Sequence, residues 1–74
     1  MNINKLTQDQ KFAYEWQYRR LGGFDSTLAD AISKADTHNQ ARFALGFPME
    51  TLGIVSYQSV KGYWDGIINI MEGE

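Results

Sequence analysis

Apolar residues along this 74-residue chain return every three or four positions in a series of short segments, the period of an α-helix that buries one face. The first segment, residues 7–21, opens on a capping threonine, Thr7, carries an early acid, Asp9, and runs to the helix-stopping pair Gly22-Gly23. Phe12, Trp16 and Arg19 or Arg20 share one line along it, and Tyr14, Tyr18 and Leu21 share another. A helix with two apolar lines is buried on two sides or offers one of them to a partner.

A second helix is predicted over 26–35, with Asp25, Ser26 and Thr27 as candidate caps and Phe24 placed to staple onto its first turn. Leu28, Ala31, Ile32 and Ala35 set its repeat. The polar break Asp36–Asn39 supplies Asp36 and Thr37 as caps for a third helix, 38–45, which passes Ala41, Arg42, Ala44 and Leu45 and stops at Gly46. Phe47-Pro48 restarts the chain, because proline suits the first helical position and holds the residue before it extended, so a fourth helix is predicted over 48–57. Residues 51–60 are β-branched enough to resemble a strand, yet Leu52, Val55 and Ser59 keep helical spacing and no hairpin partner exists. Ser59 then caps a last helix through Tyr63, Trp64, Ile67, Ile68 and Met71, which Gly62 and Gly66 weaken by up to about 1 kcal/mol each. The expected fold is all-α: one small bundle of four or five short helices over 1–74, with 1–6 and 72–74 as loose ends.

Composition narrows the function classes. With 43% apolar residues, 22% charged and a single proline, the chain reads as one globular domain and not as a disordered tail. The lack of cysteine removes disulfides, thiolate metal sites, iron–sulfur clusters and a cysteine nucleophile. A domain this short buries only about 60% of its unfolded surface, so nearly every large side chain is needed, a dimer interface being one place that could use some of them. No stretch approaches the roughly 20 apolar residues of a bilayer span. The start, Met-Asn-Ile-Asn-Lys-Leu, has no apolar signal core, so a cytoplasmic location and no membrane partner are expected.

Catalytic chemistry finds little support. No two carboxylates stand at i, i+3 or i, i+4 inside a predicted helix, and four short helices seldom enclose a reaction pocket. His38 reads as a solvated side chain near a helix start or one hydrogen-bonded to a neighbouring carbonyl, and Gly22-Gly23 lacks the lysine and spacing of a phosphate loop. No catalytic residue, cofactor or metal site is therefore expected, and the chain reads as a non-enzyme.

Residues 1–23 carry four bases against two acids, 24–47 two against three, and 48–74 one against four. Arg19 and Arg20 beside Trp16 and Tyr18 form a small basic, aromatic patch. One alternative is a weak nucleic-acid-binding regulator using Arg19, Arg20, Lys11, Lys34 and Arg42, opposed by a net charge of −2 and only seven bases. A helix-turn-helix reading of 26–45 fits poorly, since Gln40 and Arg42 are followed by Phe43, Ala44 and Leu45 where polar base-reading side chains are needed. Trp, Tyr and Arg most often carry binding energy at protein interfaces. The candidate partner-binding residues are accordingly Trp16, Tyr18, Arg19 and Arg20, with Tyr63 and Trp64 as a second cluster. Some of Tyr14, Tyr18, Tyr57 and Tyr63 are expected to stay partly exposed.

Phe24, Leu28, Ala31-Ile32, Ala35-Asp36, Asn39, Arg42, Gly46-Phe47-Pro48 with Glu50, and Gly62-Tyr63-Trp64 make residues 24–64 resemble a loose group of small, mostly uncharacterised phage and prophage proteins. The resemblance implies a helical fold and a phage or mobile-element origin, and it brings no assigned activity or site residues. Leu52-Gly53-Ile54-Val55 and Ile67-Ile68-Asn69-Ile70 are more apolar than the charged helices of that group, which favours self-association. The resulting expectation is a phage or mobile-element accessory protein, in the cytoplasm of a bacterial host, that binds a host or phage protein and modulates it, with homodimerisation as a further expectation. A structural subunit of a phage assembly is the remaining alternative.

Overall fold

Thr7 opens the first helix as predicted: its backbone N–H donates to Gln10 Oε1 at 3.0 Å and its hydroxyl to Asp9 Oδ1 at 2.6 Å. In the computed structural model, which describes residues 2–73, a short 3-10 helix (Asn2–Lys5) precedes α1 (Gln8–Gln17), α2 (Gly23–Lys34), α3 (Thr37–Gly46), α4 (Pro48–Ser59) and α5 (Tyr63–Glu72). The described residues contain no strand, so the protein is an all-α bundle of five helices, and 51–59 is helical despite its β-branched composition. Asp36 caps α3 by accepting from the Asn39 N–H at 2.8 Å, and Pro48 takes the first position of α4.

Several boundaries differ from the sequence reading. α1 stops at Gln17 and not at 21, because the chain turns into the left-handed region at Arg19 (φ 56°). There the Arg19 N–H donates to the Trp16 carbonyl at 3.2 Å and the Arg20 N–H to the Glu15 carbonyl at 2.8 Å, the paired bonds of a Schellman motif whose left-handed position glycine usually fills. Gly22 and Gly23 stop nothing; Gly22 is the N-cap of α2, which starts three residues before the predicted 26. Phe24 therefore lies inside α2, 69% exposed against Phe47, and does not staple its start. Ser59 ends α4 and does not cap α5, whose N-cap is the left-handed Gly62 (φ 85°), a conformation glycine adopts without steric cost. Of the ends expected to be loose, 2–6 are tied down, with Leu6 buried and Asn2 Nδ2 donating to the Met71 carbonyl at 3.2 Å, and Glu72 belongs to α5. Met1 and Glu74 lie outside the described residues.

α4 touches all four other α-helices and forms the axis of the fold. Gly53 lets α1 come close enough that no β-carbon fits between that position and the Asp9 carbonyl. Two apolar clusters flank α1. Phe12, Leu28, Ala29, Ile32 and Ile54 form the first, with Trp16, Phe43 and Phe47 against it, and Leu6, Ala13 and Ile67 form the second, beneath Tyr14, Tyr57, Tyr63 and Trp64. Phe12 and Trp16 thus go to the first core and Ala13 and Tyr14 to the second, while Leu21, from the second apolar line, packs against the first core and Tyr18 stays half-exposed. With principal extents of 38 × 27 × 17 Å, the thinnest dimension is less than two helix diameters, and Ile32, Ile54 and Ile67 are the largest side chains fully shut off from solvent.

Candidate functional site

α1, α4 and α5 bring rings from both predicted aromatic groups onto one surface. Five rings run in sequence: Trp16 meets Tyr57 edge-on at 5.6 Å, Tyr57 meets Trp64 edge-on at 5.5 Å, and Trp64 lies 6.2 Å from both Tyr14 and Tyr18. Tyr14 on α1 and Tyr18, its C-cap one turn later, are 4.7 Å from each other. At the open end Tyr18 is 50% exposed, and the Arg20 guanidinium carbon stands 5.9 Å from its ring centroid, within cation–π range.

The six predicted contact residues play different parts here. Tyr18, Arg20 and Trp64 meet at the exposed end of the run. Arg19 is exposed and lines a separate cleft of about 330 Å³ with Trp16, Leu21 and Asp30. Trp16 is half-buried, and its Nε1–H donates to Asp30 Oδ1 at 3.1 Å, which ties α1 to α2. Tyr63 is also half-buried and faces the other way, its hydroxyl donating to Asp9 Oδ2 at 2.8 Å and so fastening α5 to the start of α1. Trp16 and Tyr63 thus hold the fold together, while Tyr14 and Tyr57, absent from the predicted contact set, complete the aromatic surface. Tyr14 and Tyr18 also wall a cleft of about 460 Å³ against Ile68 and Met71.

Burial raises the Tyr63 phenol well above its ordinary range, helped by its hydrogen bond to Asp9 and the negative charge there. The folded chain keeps this proton where the unfolded chain releases it, so the contribution is whole below about pH 10 and is lost as pH rises above it. Tyr63→Phe, which has no phenolic proton, is expected to lose less stability between about pH 9 and about pH 11 than the parent chain does. Melting curves across that interval test this, and parallel decline of the two proteins would exclude the link.

Sequence reading missed a second concavity, a cleft of about 600 Å³ where α2 meets α3, lined by Ala31, Lys34, Ala35, Asn39, Arg42, Phe43, Gly46 and Phe47. Its signal was present as i, i+3, i+4 spacing of 31, 34 and 35 on one helix and of 39, 42, 43 and 46 on the next. The five bases of the nucleic-acid reading are therefore divided, with Lys34 and Arg42 in this cleft, Arg19 and Arg20 just past the end of α1 and Lys11 exposed near its start. Among the described residues, no group of three or more His, Asp or Glu side chains could hold a metal ion, and His38 is exposed in the first turn of α3. No described helix is long and apolar enough to cross a membrane. No family model matches this chain, and the searches of curated proteins and of solved structures likewise return no match.

Proposed function

We propose that this protein is a non-enzymatic binding module of phage or mobile-element origin, acting in the cytoplasm of a bacterial host, that docks a host or phage protein on the Tyr18–Arg19–Arg20–Trp64 surface and modulates it. Arg19 carries the reading. A non-glycine residue in the left-handed region costs about 1–2 kcal/mol, and glycine is the usual occupant of the position Arg19 holds at the end of α1. Backbone strain of this kind collects at functional sites, and here it sets an arginine beside a half-exposed tyrosine and a second arginine, the residue types that dominate interface hot spots. The phage origin is supported by the resemblance over residues 24–64.

Arg19→Gly is expected to raise stability by about 1 kcal/mol, a rise in Tm of about 4–8 °C, while weakening partner capture. Pull-down from host lysate with mass spectrometry compares the parent chain with Arg19→Gly and with Tyr18→Ala/Arg20→Ala. A single protein held by the parent and lost by both variants at unchanged helicity supports the reading. Equal retention by all three, or retention only of nucleic acid at about 50 mM salt with loss at higher salt, overturns it.

A further inference from the structure

We propose that the α2–α3 cleft is a second, independent docking groove that takes an acidic amphipathic helix of a protein partner. α3 contributes no fully buried residue, so its groove-facing line, Asn39, Arg42, Phe43 and Gly46, is only half covered. Across from it Ala31 and Ala35 are small enough to admit a third helix between α2 and α3, and Phe43 with Phe47 forms an apolar floor. Phe24, 69% exposed and 6.2 Å from Phe47, extends that floor toward the start of α2. A volume of about 600 Å³ lies within the range of about 300–1,000 Å³ typical of ligand clefts.

Charge selects the occupant. The chain has a net charge of −2, yet this lining holds two cations, Lys34 on α2 and Arg42 on α3, and no carboxylate. Among the described residues Arg42 Nη1–H reaches only the neutral Asn39 Oδ1, at 3.4 Å, and so keeps its charge available. An apolar trough with a cation on each bank matches a helix whose apolar i, i+3, i+4, i+7 line is bordered by Glu or Asp. Nucleic acid fits less well, because two cations above an apolar floor give little of the counterion release that drives such binding. A second copy also fits less well: α5, with Asp65 and Glu72, already spends most of its apolar residues, Trp64, Ile67, Ile70 and Met71, on the core.

The probe is a synthetic amphipathic helical peptide of leucine, alanine and glutamate, with a counterpart carrying lysine at every glutamate position. Amide NMR titration of the full chain, with light-scattering mass in parallel, reads both the site and the stoichiometry. The acidic peptide is expected to bind at least about tenfold tighter than the lysine peptide at low salt, shifting Ala31, Ala35, Asn39 and Phe43 in a 1:1 complex. Lys34→Glu/Arg42→Glu, at exposed positions, should reverse the preference. Gly46→Leu, whose β-carbon meets open space, should weaken both peptides by filling the groove. Equal affinity for the two peptides, shifts confined to Tyr18 and Trp64, or a mass change to a dimer without peptide would each overturn the proposal. None of these readouts depends on the identity of the partner sought through the aromatic surface.

Discussion

Gly53→Ala is expected to lower the stability of this domain by about 2 kcal/mol, although alanine is the better helix former by about 1 kcal/mol. Gly53 is buried in α4, and a β-carbon placed there would be driven into the backbone carbonyl oxygen of Asp9, well inside contact distance. Its obstacle is main chain and cannot swing aside, so α1 and α4 must separate. Because Asp9 also receives the Tyr63 hydroxyl and the Thr7 hydroxyl, moving it disturbs the α5 anchor and the start of α1 together. Chemical denaturation of parent and variant measures the loss; a midpoint that rises, as helix propensity alone requires, would refute the close approach. Gly66→Ala is the control, since nothing stands within 4 Å of a β-carbon there, and propensity should make it neutral or stabilising.

Leu28→Ala and Leu45→Ala delete the same atoms and are expected to differ by about 2 kcal/mol or more. Leu28 is 6% exposed and packs in the first core with Phe12, Ile32 and Ile54, so its removal leaves a cavity and should cost about 2–5 kcal/mol. Leu45 is 88% exposed on α3, so its removal should stay within about 0.5 kcal/mol. A small domain holds about 0.05–0.15 kcal/mol of stability per residue, so the first change removes a large part of the total and should lower Tm by more than about 10 °C. Thermal melts of the two variants side by side test the assignment, and similar losses would mean that α3 buries its outer face against another surface in solution.

Local chemistry made most of the helical pattern legible. Asp36, Pro48 and Thr7 act within a few residues of themselves, through a side-chain cap, a fixed φ and a first-turn hydrogen bond, and each stands where its sequence position placed it. The stop of α1 was not legible, because the left-handed turn falls on Arg19 while the glycines that advertise one lie further along and start α2. A stop written in backbone hydrogen bonds leaves no mark on side-chain type.

The candidate surface was legible in part. Residue type singled out Trp16, Tyr18, Arg20, Tyr63 and Trp64, because aromatics and arginine bring large contact area wherever they emerge. Residue type did not separate the Trp16 and Tyr63 that fasten helices from the Tyr18 and Arg20 that face solvent, since each role uses the same rings and polar tips. The groove between α2 and α3 was invisible as a groove, although its lining follows helical spacing, because a concavity exists only once two helices have an angle between them.

By itself, then, the sequence determined the all-α class, a bundle of four or five short helices and most of their starts, since apolar period and caps act over distances of one helical turn. Tertiary structure alone decided that Phe12 and Tyr14 of α1 enter different cores, that Gly53 seats against Asp9, and that Leu28 is buried while Leu45 is not. Those outcomes depend on which helix faces come together in space, and a period of three to four residues carries no information about the neighbour each face will meet.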